Sequence, residues 1–159
     1  CLAGDIPTML LDGRYNDAKK LALLLKNIYS EDDFYIELQD HGIDEQKKVN
    51  PDLIRLADDI DVKLVATNDV HYTSKEDAEA HHVLLCVQTQ TKIDDPNRMR
   101  FKTQEFYLKS ENEMQELFSY RTDAINNTNE IAEKCEIEID FSKLYFPDLH
   151  WQQSNPANY

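Results

Sequence analysis

Asp69 and His71 stand two residues apart in KLVATNDVHY, the run from Lys63 to Tyr72. A carboxylate and an imidazole are both ligands for divalent metals and both carry protons. The start of the run, Lys63 to Ala66, sets Leu64, Val65 and Ala66 in a row and predicts a short buried strand. Just past the carboxyl end of a strand is where α/β folds keep their active sites. If the backbone stays extended there, Asp69 and His71 point to the same side and both reach one ion. A lone D-x-H is also common by chance; its bland alternative is a turn-capping Asp beside a packed His.

Few other residues compete. Glu37 and His41 lie around the end of a second expected strand, and His41 beside Gly42 reads as a turn residue more readily than as a ligand. His81 and His82 fall on the helix expected after the motif. Neighbours on a helix diverge by about 100°, so only one can face it. His81 and Glu37 are therefore candidates for contacts that support the motif without binding an ion. Asp32-Asp33, Asp58-Asp59 and Asp94-Asp95 each flank a helix end or a turn, which argues against a two-metal centre built on paired carboxylates in this stretch.

The elements that must position these residues alternate. Asp17 to Tyr29 carries Ala18, Leu21, Ala22, Leu25, Ile28 and Tyr29 at helical spacing. Phe34 to Leu38 is aromatic and β-branched, a short strand. Asp44 to Ile60 is expected as a helix with a boundary or kink at Pro51, its core stripe being Leu53, Ile54, Ala57 and Ile60. After the motif, Thr73 to Glu76 has the capping-box pattern and opens a helix to about Val87. Gln88 to Lys102 is irregular, with Asp94-Asp95-Pro96-Asn97 as a turn and Arg98 to Phe101 as a loop anchored by salt bridges. Glu105 to Lys109 is a short strand, Ser110 to Glu113 a second capping box leading a helix to Phe118, and Asp123 to Cys135 a helix with Ala124, Thr128, Ile131 and Cys135 on one stripe. Ile137 to Ile139 alternates with acids as an edge strand does. Strands each feeding a helix make the α/β pattern. Three or four strands are too few to close a barrel and enough for part of one.

Composition narrows the class. The chain has 159 residues, enough for one domain with a real core, and a net charge of −14. That charge argues against a large autonomous nucleic-acid surface and is expected of a cytoplasmic protein or of a domain whose partner supplies positive charge. Three scattered glycines, Gly4, Gly13 and Gly42, rule out a Gly-rich phosphate loop, and no apolar run approaches a membrane span. Cys1, Cys86 and Cys135 form no disulfide framework; Cys86 and Cys135 are expected as buried thiols. The first residue is Cys1 and no signal peptide follows it, so the chain is expected to be a piece of something longer.

The run LVATNDVHYTSKEDAEAHHVLLCVQTQTKIDDPNRMRF closely resembles the polymerase-and-histidinol-phosphatase (PHP) domain of the bacterial replicative polymerase family, the DNA polymerase III alpha subunits. CLAGDIP, FYIELQDHG with EQKKVNP, EFYLKS, EMQELF and NTNEIAEKC match the same family in the same order, so the resemblance covers Cys1 to about Leu149. It implies an α/β fold, a partial distorted (β/α)7 barrel of the PHP type, of which this chain would be the second half. Residues 1–149 would be the carboxyl-terminal part of the PHP domain and 150–159 a linker into the polymerase region.

Cys1 matches the cysteine of the family's C-L-x-G motif, and Asp69 with His71 its late D-x-H pair. The resemblance therefore implies Cys1, Asp69 and His71 as metal ligands, for zinc, with manganese or iron as alternatives. It implies metal-assisted hydrolysis of 3′ ends in members with intact ligands, and otherwise a metal-binding support for the polymerase. Nucleotide addition, with its magnesium, belongs to a palm domain that this chain does not reach. DNA, deoxynucleoside triphosphates and other replisome subunits are the implied partners; no membrane is. The alternative is part of a stand-alone, histidinol-phosphatase-like PHP phosphoesterase.

Overall fold

A computed structural model describes residues 2–30, 32–144 and 146. Two helices open the chain, α1 (Asp5–Leu11) and α2 (Tyr15–Tyr29). A βαβ unit follows: β1 (Ile36–Leu38), α3 (Asp44–Ile60) and β2 (Leu64–Ala66). A single 3-10 turn at Lys75–Asp77 leads into α4 (Ala78–Thr89), and α5 (Glu111–Leu117) and α6 (Thr122–Lys134) come last.

β1 and β2 are parallel, with Ile36 opposite Leu64, Glu37 opposite Val65 and Leu38 opposite Ala66. Parallel neighbours need a long crossover, and α3 supplies it. The ladder closes with Ile36 N–H donating to the Lys63 carbonyl and Thr67 N–H to the Leu38 carbonyl, both at 3.0 Å. Residues 63, 65 and 67 therefore bond toward β1, while the Leu64 carbonyl faces the other way. Asn127 of α6 caps it there, Nδ2 to O at 2.8 Å. Parallel pairing puts both carboxyl ends at the same edge, so the chain leaving β1 toward His41 and the chain leaving β2 toward His71 emerge together.

The core lies where α3 and α6 pack against these strands. Leu38, Leu56, Leu64 and Phe118 are fully buried, each contributing about 1.5–3 kcal/mol by leaving water. Val49, Leu53, Leu56, Ala57 and Ile60 form the buried face of α3. That helix runs unbroken through Pro51, so the expected boundary does not occur; the buried stripe on both sides of the proline holds the axis together. α1 packs under α2, whose Ala18 and Ala22 are fully buried and allow close approach. Ile28 and Tyr29, expected on that inner stripe, are 62% and 58% exposed.

Several expectations need correction. The sheet among the described residues has two strands. Glu105 to Lys109 forms only one isolated parallel bridge, Tyr72 to Tyr107, and Ile137 to Ile139 is exposed chain without strand pairing. The helix after the motif is capped one residue later than its pattern suggests: the Ser74 N–H and Oγ–H both donate to Asp77 Oδ2 at 2.9 Å. The Ser110–Glu113 box forms as expected. On α6 the inward residues are Ala124, Ile125, Asn127 and Ile131; Thr128 and Cys135 are exposed, and of the two cysteines among the described residues Cys86 alone is buried. Arg98 and Arg100 anchor their loop by donating to the Ile93 and Pro96 carbonyls, at 2.9 and 3.0 Å, and not through carboxylates. Helix α1 had no counterpart among the expected elements. Among the described residues no helix is long and apolar enough to cross a membrane.

Candidate functional site

β2 ends at Ala66, and the next residues turn sharply. Asp69 has φ 48°, in the left-handed region that aspartate tolerates better than most residues. The backbone is therefore not extended through the motif. The two side chains converge all the same: His71 Nε2 lies 3.2 Å from Asp69 Oδ1. Both are well exposed, at 37% and 44% of the side-chain surface, so the pair opens to solvent.

Residues 105–108 hold the motif in place. His71 N–H donates to the Phe106 carbonyl at 2.8 Å and Tyr72 N–H to the same oxygen at 3.3 Å. Leu108 N–H returns to the Tyr72 carbonyl at 3.1 Å. Asn68 ties the same two segments through its side chain, Nδ2 donating to the Tyr107 carbonyl at 2.9 Å and Oδ1 accepting from Lys109 Nζ at 3.4 Å. Burial pushes the Lys109 ammonium below the ordinary lysine range; Glu105, with Oε2 at 3.7 Å and its carbonyl taking a short bond from the same nitrogen, opposes this.

Aromatic rings wall the His71 imidazole. Phe101 meets it edge-on with centroids 4.7 Å apart, Phe106 at 5.7 Å and His81 at 5.7 Å. His81 packs in turn against Phe101 and Tyr72. Its Nδ1 is buried and has no hydrogen-bond partner among the described residues. Burial, and then the neighbouring His71 and His82, push the His81 pKa below that of a free imidazole, so the ring is neutral at pH 7.

The expected site residues are thus partly assembled. Asp69 and His71 are together and His81 stands beside them. Glu37, on the neighbouring strand, reaches the motif through Thr67, whose Oγ1 donates to its Oε1 at 2.6 Å. Cys1 and the 150–159 stretch lie outside the described residues. Of the paired acids, Asp58 and Asp59 are engaged in holding the fold: Asp58 with Arg121 at 3.1 Å, and Asp59 with Tyr15 and Lys19 at 2.9 and 3.1 Å. The residue that sequence reasoning underrated is His41. It is 1% exposed, with both ring nitrogens bonded and its ring stacked on Phe106. The only hint was Gln46 in the first turn of the following helix, within reach of it.

A carboxylate oxygen and an imidazole nitrogen, both about 2.0–2.1 Å from a tetrahedral ion, lie about 3.3 Å apart. The 3.2 Å separation fits that arrangement, as it fits a direct hydrogen bond. The orphaned His81 Nδ1 adds a nitrogen donor close by. Among the described residues no three His, Cys, Asp or Glu side chains are grouped to hold one ion.

No protein-family model matches the chain. It is similar to curated proteins over most of its length. The DNA polymerase III subunit alpha of Treponema pallidum is 47% identical over 139 residues, 87% of this chain and 12% of that protein. That of Campylobacter jejuni is 47% identical over 135 residues, 85% of this chain and 11% of that protein, and that of Thermus aquaticus 42% identical over 142 residues, 87% and 12%. The chain thus spans about an eighth of the length of these relatives.

Proposed function

We propose, from the premise that this chain is a relative of one segment of the DNA polymerase III alpha subunits, that it is the carboxyl-terminal part of a PHP domain within a replicative DNA polymerase. In this reading residues 1–149 complete a partial (β/α)7 barrel and 150–159 lead toward the polymerase region. The whole protein extends DNA with deoxynucleoside triphosphates and magnesium, in the cytoplasm, among other replisome subunits. No residue of this chain takes part in nucleotide addition.

The Asp69–His71 pair is a divalent-metal site in this proposal. The observation that carries it is the convergence of Oδ1 and Nε2 to 3.2 Å at the open carboxyl end of a parallel strand. Asp69 supplies a carboxylate oxygen and His71 an imidazole nitrogen, a donor set suited to zinc, with manganese or iron as alternatives. Cys1 is the proposed third ligand. A bound metal there would lower the pKa of a coordinated water and make a nucleophile for phosphodiester hydrolysis at a 3′ end. Asp69 and His71 orient that site, the Phe101 and Phe106 rings shield its inner side, and His81 lies against His71 without competing for charge. Where the remaining ligands are incomplete, the same site acts as a structural brace for the polymerase. The relatives favour this reading over a stand-alone phosphoesterase.

Metal analysis of the intact protein, before and after chelation and alongside Asp69→Asn, tests the proposal. Stoichiometric zinc, manganese or iron that falls in the variant is the expected result. Equal metal content in both proteins overturns it.

A further inference from the structure

His41 braces the Asp69–His71 pair from the buried side. Its backbone N–H donates to Gln46 Oε1 at 2.7 Å, and Gln46 Nε2 donates to His41 Nδ1 at 2.9 Å. The first bond fixes which end of the Gln46 amide is oxygen, so the second runs from amide nitrogen to ring nitrogen. Nδ1 is therefore an acceptor. Nε2 carries the proton and donates it to the Asn68 carbonyl at 2.7 Å. Asn68 immediately precedes Asp69, where the chain turns left-handed. The ring also lies flat on Phe106, centroids 4.1 Å apart and planes within 6°. Phe106 is the residue whose carbonyl holds the His71 N–H at 2.8 Å. One imidazole thus touches the support of each member of the pair. The Thr103 hydroxyl fixes it further by donating to the His41 carbonyl at 2.7 Å.

We infer that His41, locked by Gln46 as the Nε2–H tautomer, is a positioning residue: it holds the Asn68 carbonyl and the Phe106 ring so that Asp69 and His71 are aimed at a common ion. Contacts of this kind behind metal ligands typically change metal affinity by about 10- to 100-fold. The inference rests on the metal-binding reading of the pair, but the tautomer is a property of the metal-free protein.

The test uses the intact protein with Co2+ as the probe, read by its visible d–d absorption. His41→Phe keeps a ring on Phe106 and removes both hydrogen bonds. His41→Gln restores an Nε2–H donor toward Asn68. The expected result is Co2+ affinity about tenfold or more weaker in H41F, with an altered d–d band, and recovery of most of both in H41Q. Where H41F lacks the parent's thermal transition, Gln46→Met, which unlocks the tautomer and leaves the imidazole in place, carries the same comparison. Nitrogen NMR of the metal-free parent should show His41 protonated at Nε2. An Nδ1-protonated ring, or a folded H41F or Q46M with the parent's affinity and spectrum, overturns the inference alone. Absence of Co2+ uptake by the parent overturns the metal reading and this inference with it.

Discussion

Asp69 Oδ1 and His71 Nε2 meet at 3.2 Å although the backbone between β2 and His71 is not extended, because Asp69 takes a left-handed turn with φ 48°. The turn is held on one side by Asn68, bonded to Tyr107 and Lys109, and on the other by the Phe106 carbonyl. The geometry of the pair is therefore set by tertiary contacts.

The proposed metal site uses both members of the pair, so losing either should cost most of any metal held there. His71→Ala and Asp69→Asn in the intact protein are expected to weaken metal binding about tenfold or more. Template-directed nucleotide addition, the activity proposed for the whole protein, should stay near the parent rate, since the proposal gives neither side chain a part in it. Metal content after dialysis and a primer-extension assay check the two halves; a variant that extends primers poorly while retaining its metal contradicts the assignment.

Acid should weaken the fold through two carboxylates. Hydrogen bonds from Tyr107 and then Ser110 hold the Glu113 carboxyl at a pKa of about 2, and Lys63 followed by Tyr35 does the same for Glu130, against an ordinary value of 4.5 for each. A carboxyl whose pKa is lower in the folded chain than in the unfolded one stabilises the fold above pH 4.5, and that contribution disappears between pH 4.5 and about 2. Denaturant unfolding across that window should show stability falling with pH, less steeply in Glu113→Gln and Glu130→Gln. Identical pH profiles for parent and variants would remove these residues from the account.

Leu64 is fully buried at the start of β2, and its carbonyl is capped by Asn127. Leu64→Ala should cost about 2–5 kcal/mol, from lost burial plus the cavity left behind. Asn127→Ala should cost about 1 kcal/mol, the usual net value of one hydrogen bond. A Leu64→Ala change no larger than the Asn127→Ala change in urea unfolding would place the core elsewhere.

Residues 1–159 expressed alone should associate or unfold readily. The two strands among the described residues are fewer than an independent sheet usually needs, and Leu24, Ile28, Val83, Leu84 and Val87 are between 52% and 71% exposed. An apolar cavity of about 310 Å³ between Ile6, Pro7, Leu21, Leu25, Phe34 and Leu53 lies against β1. Sedimentation at micromolar concentration should show species larger than a monomer or a low unfolding midpoint. A stable, monodisperse monomer would fault the half-barrel assignment.

The sequence by itself determined the elements whose signals are local. The 3.6-residue spacing of Leu53, Ala57 and Ile60 located α3, the apolar run at Leu64 located β2, and the Ser110–Glu113 box placed the start of α5, because each depends on neighbours within a turn or two. It also set Asp69 beside His71 and nominated them for one ion. Tertiary structure alone decided how they meet. The left-handed turn at Asp69 is stabilised through Asn68, which is bonded to Tyr107 and Lys109, 39 and 41 positions after it, and to His41, 27 positions before it. The same distance in sequence hid the role of His41: beside Gly42 it looks like a turn residue, and only parallel pairing of β1 with β2 brings the ends of both strands together and buries its imidazole beneath the motif. The supposed strands at Glu105 and Ile137 fail for the complementary reason. Their alternation is a local pattern, and a strand exists only where a distant partner supplies its hydrogen bonds.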